Sequence, residues 1–289
     1  MALSRPLPSI AAHPRSPYGR GLSTSTPRHD STPFVSVVTG AAGGIGRATA
    51  HRFAAAGDTV VLVDLPGPGL HALEERLQAD GATATSVPVD LTDRSAVAGI
   101  AEVVDARGPL RALAHTAGLS PTMAGWERVL SVNLVGSVLL LDALDPLVGE
   151  GTVAVCVASQ AGHLVGGDSP ELEAVLSEPL ADDFLHRAGA GGIDEPGMAY
   201  GWSKWAVRRL VVDRAPSWGA RGARILSLSP GIVDTPMGRR ELERQPVMQT
   251  GGRILWPDRG GDTLVNGPGI ECYLHLHNAN AGLFITCFN

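Results

Sequence analysis

The chain predicts an α/β fold, a doubly wound parallel sheet in a single domain, from three observations. Short β-branched runs alternate with helix-forming stretches along most of its length. The runs are apolar nearly throughout, as in Val60-Val61-Leu62-Val63, which fits strands covered on both faces. The 289 residues, 44% of them apolar, suffice to bury one large core of this kind.

Before the pattern begins, residues 1–33 carry Pro, Ser, Thr and four arginines against the single acid Asp30. They show no hydrophobic periodicity and read as a disordered leader. A basic, Ser-rich, acid-poor start also resembles a transit peptide, and a start codon placed too early would look the same. Strands are expected at 34–39, 59–64, 84–89, 110–115, 152–158 and 223–228. The first is a β-branched run that stops at Gly40, and the second stops at Asp64. Asp90-Leu91 follows the third, and His115-Thr116-Ala117-Gly118 the fourth. Ser159 closes the fifth, and Pro230-Gly231 follows the sixth. Helical patterns fill the gaps at 45–56, 69–79, 93–106, 122–144 and 199–216.

The first strand leads into Thr39-Gly40-Ala41-Ala42-Gly43-Gly44-Ile45-Gly46 and then a helix. Gly40 permits the turn, Gly44 lets backbone approach a pyrophosphate, and Gly46 lets the helix pack on the sheet. A structural strand-to-helix turn would use the same glycines, so the context has to decide between the two. Asp64 ends the second strand, 18 residues beyond Gly46. A carboxylate there accepts the ribose hydroxyls of a dinucleotide and repels a 2′-phosphate, which favours NAD over NADP. No arginine or lysine stands between Gly40 and Gly46 or directly follows Asp64 to offset a phosphate charge. These features make the expected fold Rossmann-type.

Composition removes several function classes. The net charge of −6 argues against a nucleic-acid partner. No apolar run approaches the roughly 20 residues of a membrane span. Three cysteines, Cys156, Cys272 and Cys287, form no disulfide framework, which points to a reducing, cytoplasmic setting.

Lys204 is the only lysine, and Asn133 is the only asparagine before Asn266. Tyr200 and Lys204 stand four apart in a helical stretch, so they share a face. An ammonium beside a phenol favours the phenolate, which would lower the Tyr200 pKa from its usual value near 10 and make it a general acid/base. Ser159 could hold a substrate oxygen beside that phenol.

At this point the chain resembles the short-chain dehydrogenase/reductase family, over roughly residues 34–238. The motif Thr39-Gly40-x-x-x-Gly44-Ile45-Gly46, Asp64, Asp90-Leu91, Ala117-Gly118 and Pro230-Gly231-Ile232-Val233-Asp234-Thr235 match its cofactor-binding positions. Asn133, Ser159, Tyr200 and Lys204 match its catalytic tetrad. The resemblance implies hydride transfer between NAD and a secondary alcohol or ketone, with Tyr200 moving the proton. Lys204 would hold the nicotinamide ribose, Thr235 the carboxamide, and Asn133 a water relay. An apolar rim of Leu119, Leu164, Val165, Ile232 and Met237 flanks the site and agrees with a lipophilic or steroid-like substrate, and equally with ordinary core packing.

Three departures accompany the resemblance. His115-Thr116 replaces the usual Asn-Asn, which would loosen packing beside the cofactor. Ser159 and Tyr200 are separated by 41 positions, an insertion of about 163–196 that includes an acidic helical piece at 169–186. Long insertions there occur in the branch with 3α-hydroxysteroid dehydrogenase/carbonyl reductase. This one puts the usual tetramer in question and leaves a homodimer. After Met237 the substrate lid looks truncated, and Gly260–Gly267 reads as the family's last strand without its preceding helix. The domain is therefore drawn over 34–269, with an atypical tail at 270–289. Cys272, His275 and His277 have loose metal-ligand spacing, but a tail strand is the preferred reading and no metal is expected. Beside the dehydrogenase stands a competing function, a catalytically impaired NAD-binding protein with a damaged lid. A scaffold role for the insertion is the third.

Overall fold

The computed structural model describes residues 33–166, 169–244, 263–266, 270–277 and 282–288. The expected leader at 1–33 therefore lies almost wholly outside the described residues. A six-stranded parallel sheet has the order β3-β2-β1-β4-β5-β6. Its strands are β1 (Val35–Thr39), β2 (Thr59–Asp64), β3 (Ala84–Pro88), β4 (Leu110–His115), β5 (Val153–Val157) and β6 (Arg224–Leu228). The order reverses direction at β1 and β4, which opens a crevice at their carboxyl ends. Helices α1 (Gly44–Ala55), α2 (Pro68–Ala79) and α3 (Arg94–Asp105) follow the first three strands.

Alternation along each strand builds two cores. Val60 and Leu62 of β2, Val38 of β1 and Ala112 and Ala114 of β4 pack with Phe53 of α1 and Leu70, Leu73 and Leu77 of α2. Val61, Val63, Val37 and Leu113 point the other way, toward Ile100 of α3 and Leu139, Leu140 and Leu144. Both faces are covered, so the strands can be apolar at every position.

The expected helix at 122–144 is present as α4 (Trp126–Leu130), a wider π turn (Ser131–Val135) and α5 (Gly136–Leu144). Contrary to the reading that no stretch approaches a membrane span, Trp126–Leu147 is long and apolar enough by length and composition. It is a core helix here: Leu139, Leu140, Leu141 and Leu144 are buried in the domain. The insertion folds into α6 (Pro170–Leu176) and α7 (Phe184–Ala190), which lead into the long α8 (Pro196–Ala220). Leu172, Leu176, Phe184, Ala188 and Ile193 form one apolar cluster with Val129 and Leu130 of α4 and Trp202 and Ala206 of α8.

After β6 comes α9 (Pro236–Arg244), then β7 (Thr263–Asn266), β8 (Ile270–His277) and β9 (Gly282–Phe288). The reading of 260–267 as the last strand of the family's sheet is corrected. β7 pairs antiparallel with β8, and β8 with β9, in a separate three-stranded sheet. Cys272, His275 and His277 lie in β8, as the strand reading expects.

Candidate active site

Loops at the carboxyl ends of the strands converge on the crevice. Gly40 turns the chain at φ +66°, and a side chain there would meet the Ala117 nitrogen at 2.8 Å. The glycine loop thus rests against the segment that follows β4. A side chain at Gly44 would overlap Thr235 Cγ2, so the Pro-Gly loop closes over the same turn. Asp64 locks the turn from the side. Its Oδ2 accepts the Ala42 N–H at 2.9 Å and its Oδ1 accepts the Leu65 N–H at 2.8 Å. Arg47, just beyond the motif, donates from Nη2 to the Ala42 carbonyl at 3.0 Å. A guanidinium therefore does stand beside the Asp64 corner, which corrects the reading that nothing positive is close. Gly46 is buried against the sheet, with Ile45 half-buried beside it.

Other predicted contacts are already engaged within the protein. Asp90 accepts from Thr92 and from Arg128 Nη2 at 2.6 Å. These bonds hold its carboxyl below the usual range despite the opposing desolvation. Leu91 is buried, packed against Gly136 at the start of α5. Thr235 Oγ1 accepts the Gly238 N–H at 3.1 Å and caps α9. Pro230 accepts the Gln160 N–H at 3.0 Å, tying Gly231 and Ile232 to the segment after Ser159. Of the apolar rim, Leu164 is 86% exposed and Met237 38%, beside half-buried Leu119, Val165 and Ile232.

The four residues predicted as a tetrad come together from three elements: the π turn, the end of β5 and α8. Ser159 follows β5, where its hydroxyl accepts the Ala161 N–H at 3.2 Å and is close enough to the Tyr200 phenol to pull its pKa down. Lys204, one turn along α8, lies with Nζ 5.8 Å from the Tyr200 ring centroid and donates to the Val157 carbonyl at 2.8 Å. A Cβ built on Gly118 would be 3.2 Å from both Lys204 Nζ and Asn133 Oδ1, so glycine leaves those two groups adjacent.

The electrostatics reverse one expectation. Lys204 was expected to lower the phenol pKa, but the Tyr200 value is raised, first by desolvation and then by the Glu241 carboxylate, against the Ser159 hydrogen bond. Burial brings the Lys204 ammonium down to about 8. The lysine thus loses its proton before the phenol titrates, and a neutral amine cannot stabilise the phenolate. Cys156, behind the site, is a buried thiol pushed up to about 12 and chemically quiet.

A protein-family model described as short chain dehydrogenase matches residues 35–169. The chain is 33% identical over 202 residues to a short-chain dehydrogenase/reductase, bsc3, of Alternaria brassicicola, spanning 68% of this chain and 72% of that one. This chain belongs to the short-chain dehydrogenase/reductase family. It is also 30% identical over 240 residues to D-threitol dehydrogenase of Mycolicibacterium smegmatis, covering 78% of this chain and 81% of that one. Among solved structures it is similar to the 3-alpha-hydroxysteroid dehydrogenase from Pseudomonas sp. B-0831 complexed with NADH. That match has 28% identity and a TM-score of 0.59, and covers 75% of this chain and 79% of the other.

Within this short-chain dehydrogenase/reductase, the His115 departure does not loosen the site. Ser137 Oγ donates to the Asn133 carbonyl at 2.5 Å, so its one proton is used. Its 2.7 Å contact with His115 Nε2 must then be donated by the histidine, which leaves Nδ1 to accept from Thr39 Oγ1, also at 2.7 Å. The result is a directed chain from β1 through His115 to the π turn that carries Asn133. The Asn133 side chain in turn clamps Leu119 through the N–H (2.7 Å) and carbonyl (3.0 Å), and donates to Ser203 Oγ. A π turn widens the helix at the residue whose carbonyl is needed. Ser137 and Ser203 were missed from sequence, and Thr39 was read only as part of the glycine motif. A lone serine four residues after Asn133, inside an apolar run, was the available signal for the first.

Burial lowers the His115 pKa to about 3, with the Lys204 charge adding to it. The unfolded chain takes up this proton near 6.5, so stability should fall as pH drops from 6.5 toward 3, by about 2 kcal/mol at pH 5. His115→Gln, which cannot protonate, should flatten that slope in denaturant melts taken across the range.

Proposed function

We propose that the protein is an NAD-dependent oxidoreductase that interconverts a secondary alcohol and its ketone. The observation that carries the reading is the gathering of Tyr200, Lys204 and Asn133 around Gly118, with Lys204 Nζ 5.8 Å from the Tyr200 ring and Ser159 beside the phenol. The residues fit a dinucleotide. No side chain caps the N-terminus of α1 and no acid lies in its first turn, so its N–H groups are available to a pyrophosphate.

In this reading Gly40, Gly44, Ile45 and Gly46 cradle the pyrophosphate, and Asp64 accepts the adenosine ribose hydroxyls. Asp90 and the Leu91 backbone border the adenine, and Ala117 and Gly118 leave room for the cofactor. Pro230, Gly231, Ile232 and Thr235 flank the nicotinamide, whose ribose Lys204 holds. Bound NAD supplies the acceptor for the hydride that leaves the carbinol carbon. Ser159 holds the substrate oxygen, Tyr200 takes its proton, and Asn133 fixes the Leu119 loop behind them. Alcohol and NAD⁺ give ketone, NADH and one proton. The long segment before Tyr200 supports kinship with the hydroxysteroid dehydrogenase/carbonyl reductase branch. The impaired alternative is set aside because α9 continues from the Pro-Gly loop and its Glu241 reaches Thr122.

A panel of secondary alcohols with NAD, followed by NADH absorbance, tests the reaction. Asp64 tests the cofactor. NAD should bind more tightly than NADP, and Asp64→Ala should narrow that preference at least tenfold, about 1.4 kcal/mol, since Arg47 remains to meet a 2′-phosphate. Equal binding of the two cofactors by the unmodified protein would refute the assignment.

A further inference from the structure

Helix α9 begins at the Pro-Gly loop beside Gly44 and carries in its last turn a carboxylate, Glu241, that reaches the loop after Gly118. Glu241 Oε1 accepts the Thr122 N–H at 3.3 Å and the Thr122 hydroxyl in a very short hydrogen bond. Thr122 belongs to the loop after Gly118, and its hydroxyl also meets that of buried Ser120 at 3.2 Å. That same loop is held from behind by Asn133 through Leu119. The second oxygen of Glu241, Oε2, meets no donor among the described residues.

We propose that Glu241 is a specificity-determining residue whose carboxylate faces the substrate side of Tyr200, so that the site takes neutral alcohols bearing a second hydroxyl and rejects carboxylated or phosphorylated ones. The proposal rests on the alcohol dehydrogenase reading above. Two facts locate the charge. Thr122 fixes Oε1 on the loop that leads away from Gly118, and the Glu241 charge acts on the Tyr200 phenol itself. An acceptor oxygen in a water-poor crevice gains from a hydroxyl donor and repels a like charge, and both effects grow as water is excluded. Discrimination of this kind combines an attractive contact with a repulsive one. Nothing in the spacing of Glu241 pointed to the site.

Three alcohols of one skeleton isolate the effect: isopropanol, propylene glycol and lactate differ only in whether the third carbon is a methyl, a carbinol or a carboxylate. The unmodified enzyme with NAD should show kcat/KM highest for propylene glycol, lower for isopropanol and at least tenfold lower again for lactate. Glu241→Gln keeps the Oε1 acceptor and removes the charge, so the lactate-to-isopropanol ratio of kcat/KM should rise at least tenfold. Lactate matching isopropanol in the unmodified enzyme, propylene glycol failing to exceed isopropanol, or an unchanged ratio in Glu241→Gln would each overturn the proposal. Should none of the three turn over, the dehydrogenase reading is what has failed. An ultraviolet titration of Tyr200, referenced to Tyr200→Phe, then decides the placement of Glu241. A lower phenol midpoint in Glu241→Gln supports it and an unchanged one overturns it.

Discussion

Replacing Lys204 with methionine should abolish turnover while making the protein harder to unfold. Lys204 is 6% exposed, and its ammonium donates to one backbone carbonyl among the described residues, that of Val157 at 2.8 Å. Desolvation lowers its pKa to about 8 from 10.5. The unfolded chain therefore binds this proton more tightly between pH 8 and 10.5, and stability rises with pH across that window. Below pH 8 the whole cost is present, about 3 kcal/mol at 1.36 kcal/mol per pKa unit. Methionine has a similar shape and no charge. Allowing for the lost hydrogen bond, Lys204→Met should gain about 1 to 2 kcal/mol, which raises the melting temperature by several degrees. Calorimetry at pH 7 and initial rates of NADH formation check both halves. A variant less stable than the parent would show that the buried ammonium is better compensated than its recorded partner indicates.

The second large effect is expected at Tyr200. Tyr200→Phe removes the hydroxyl assigned to carry the proton but keeps the ring, so NAD should still bind while turnover falls at least about 10²-fold. Burial and Glu241 raise the phenol pKa, so the phenolate is the scarce form at neutral pH. Alcohol oxidation, which needs the base, should therefore speed up toward alkaline pH. Ketone reduction, which needs the protonated phenol, should not. Initial rates in both directions across the pH range test this. Full turnover by Tyr200→Phe on any good substrate would show that the tetrad is misassigned.

Much of the proposed catalytic group was legible because its residues sit where local rules already apply. Tyr200 and Lys204 are four apart on one helix, Ser159 ends a strand, and Gly40 lies at a strand-to-helix turn, so periodicity alone puts each at the crevice. Contacts across long separations were not legible. Glu241 is 119 positions from Thr122, and Thr39 is 76 from His115. No local pattern encodes such a pair. The Tyr200 pKa was misread for the same reason. Spacing put a lysine beside a phenol, but only packing sets how far each is desolvated, and here desolvation is the first cause of both shifts.

The sequence by itself determined the six parallel strands, the intervening helices and the family, because apolar alternation and glycine turns are local and repeat along the chain. It also marked 163–196 as an insertion. Only the tertiary structure decided that this insertion packs its own apolar cluster onto α4 and α8, that 263–266 joins an antiparallel sheet, and that His115 bridges β1 to the π turn. These outcomes depend on which distant surfaces meet and exclude water, and a one-dimensional pattern carries no measure of that.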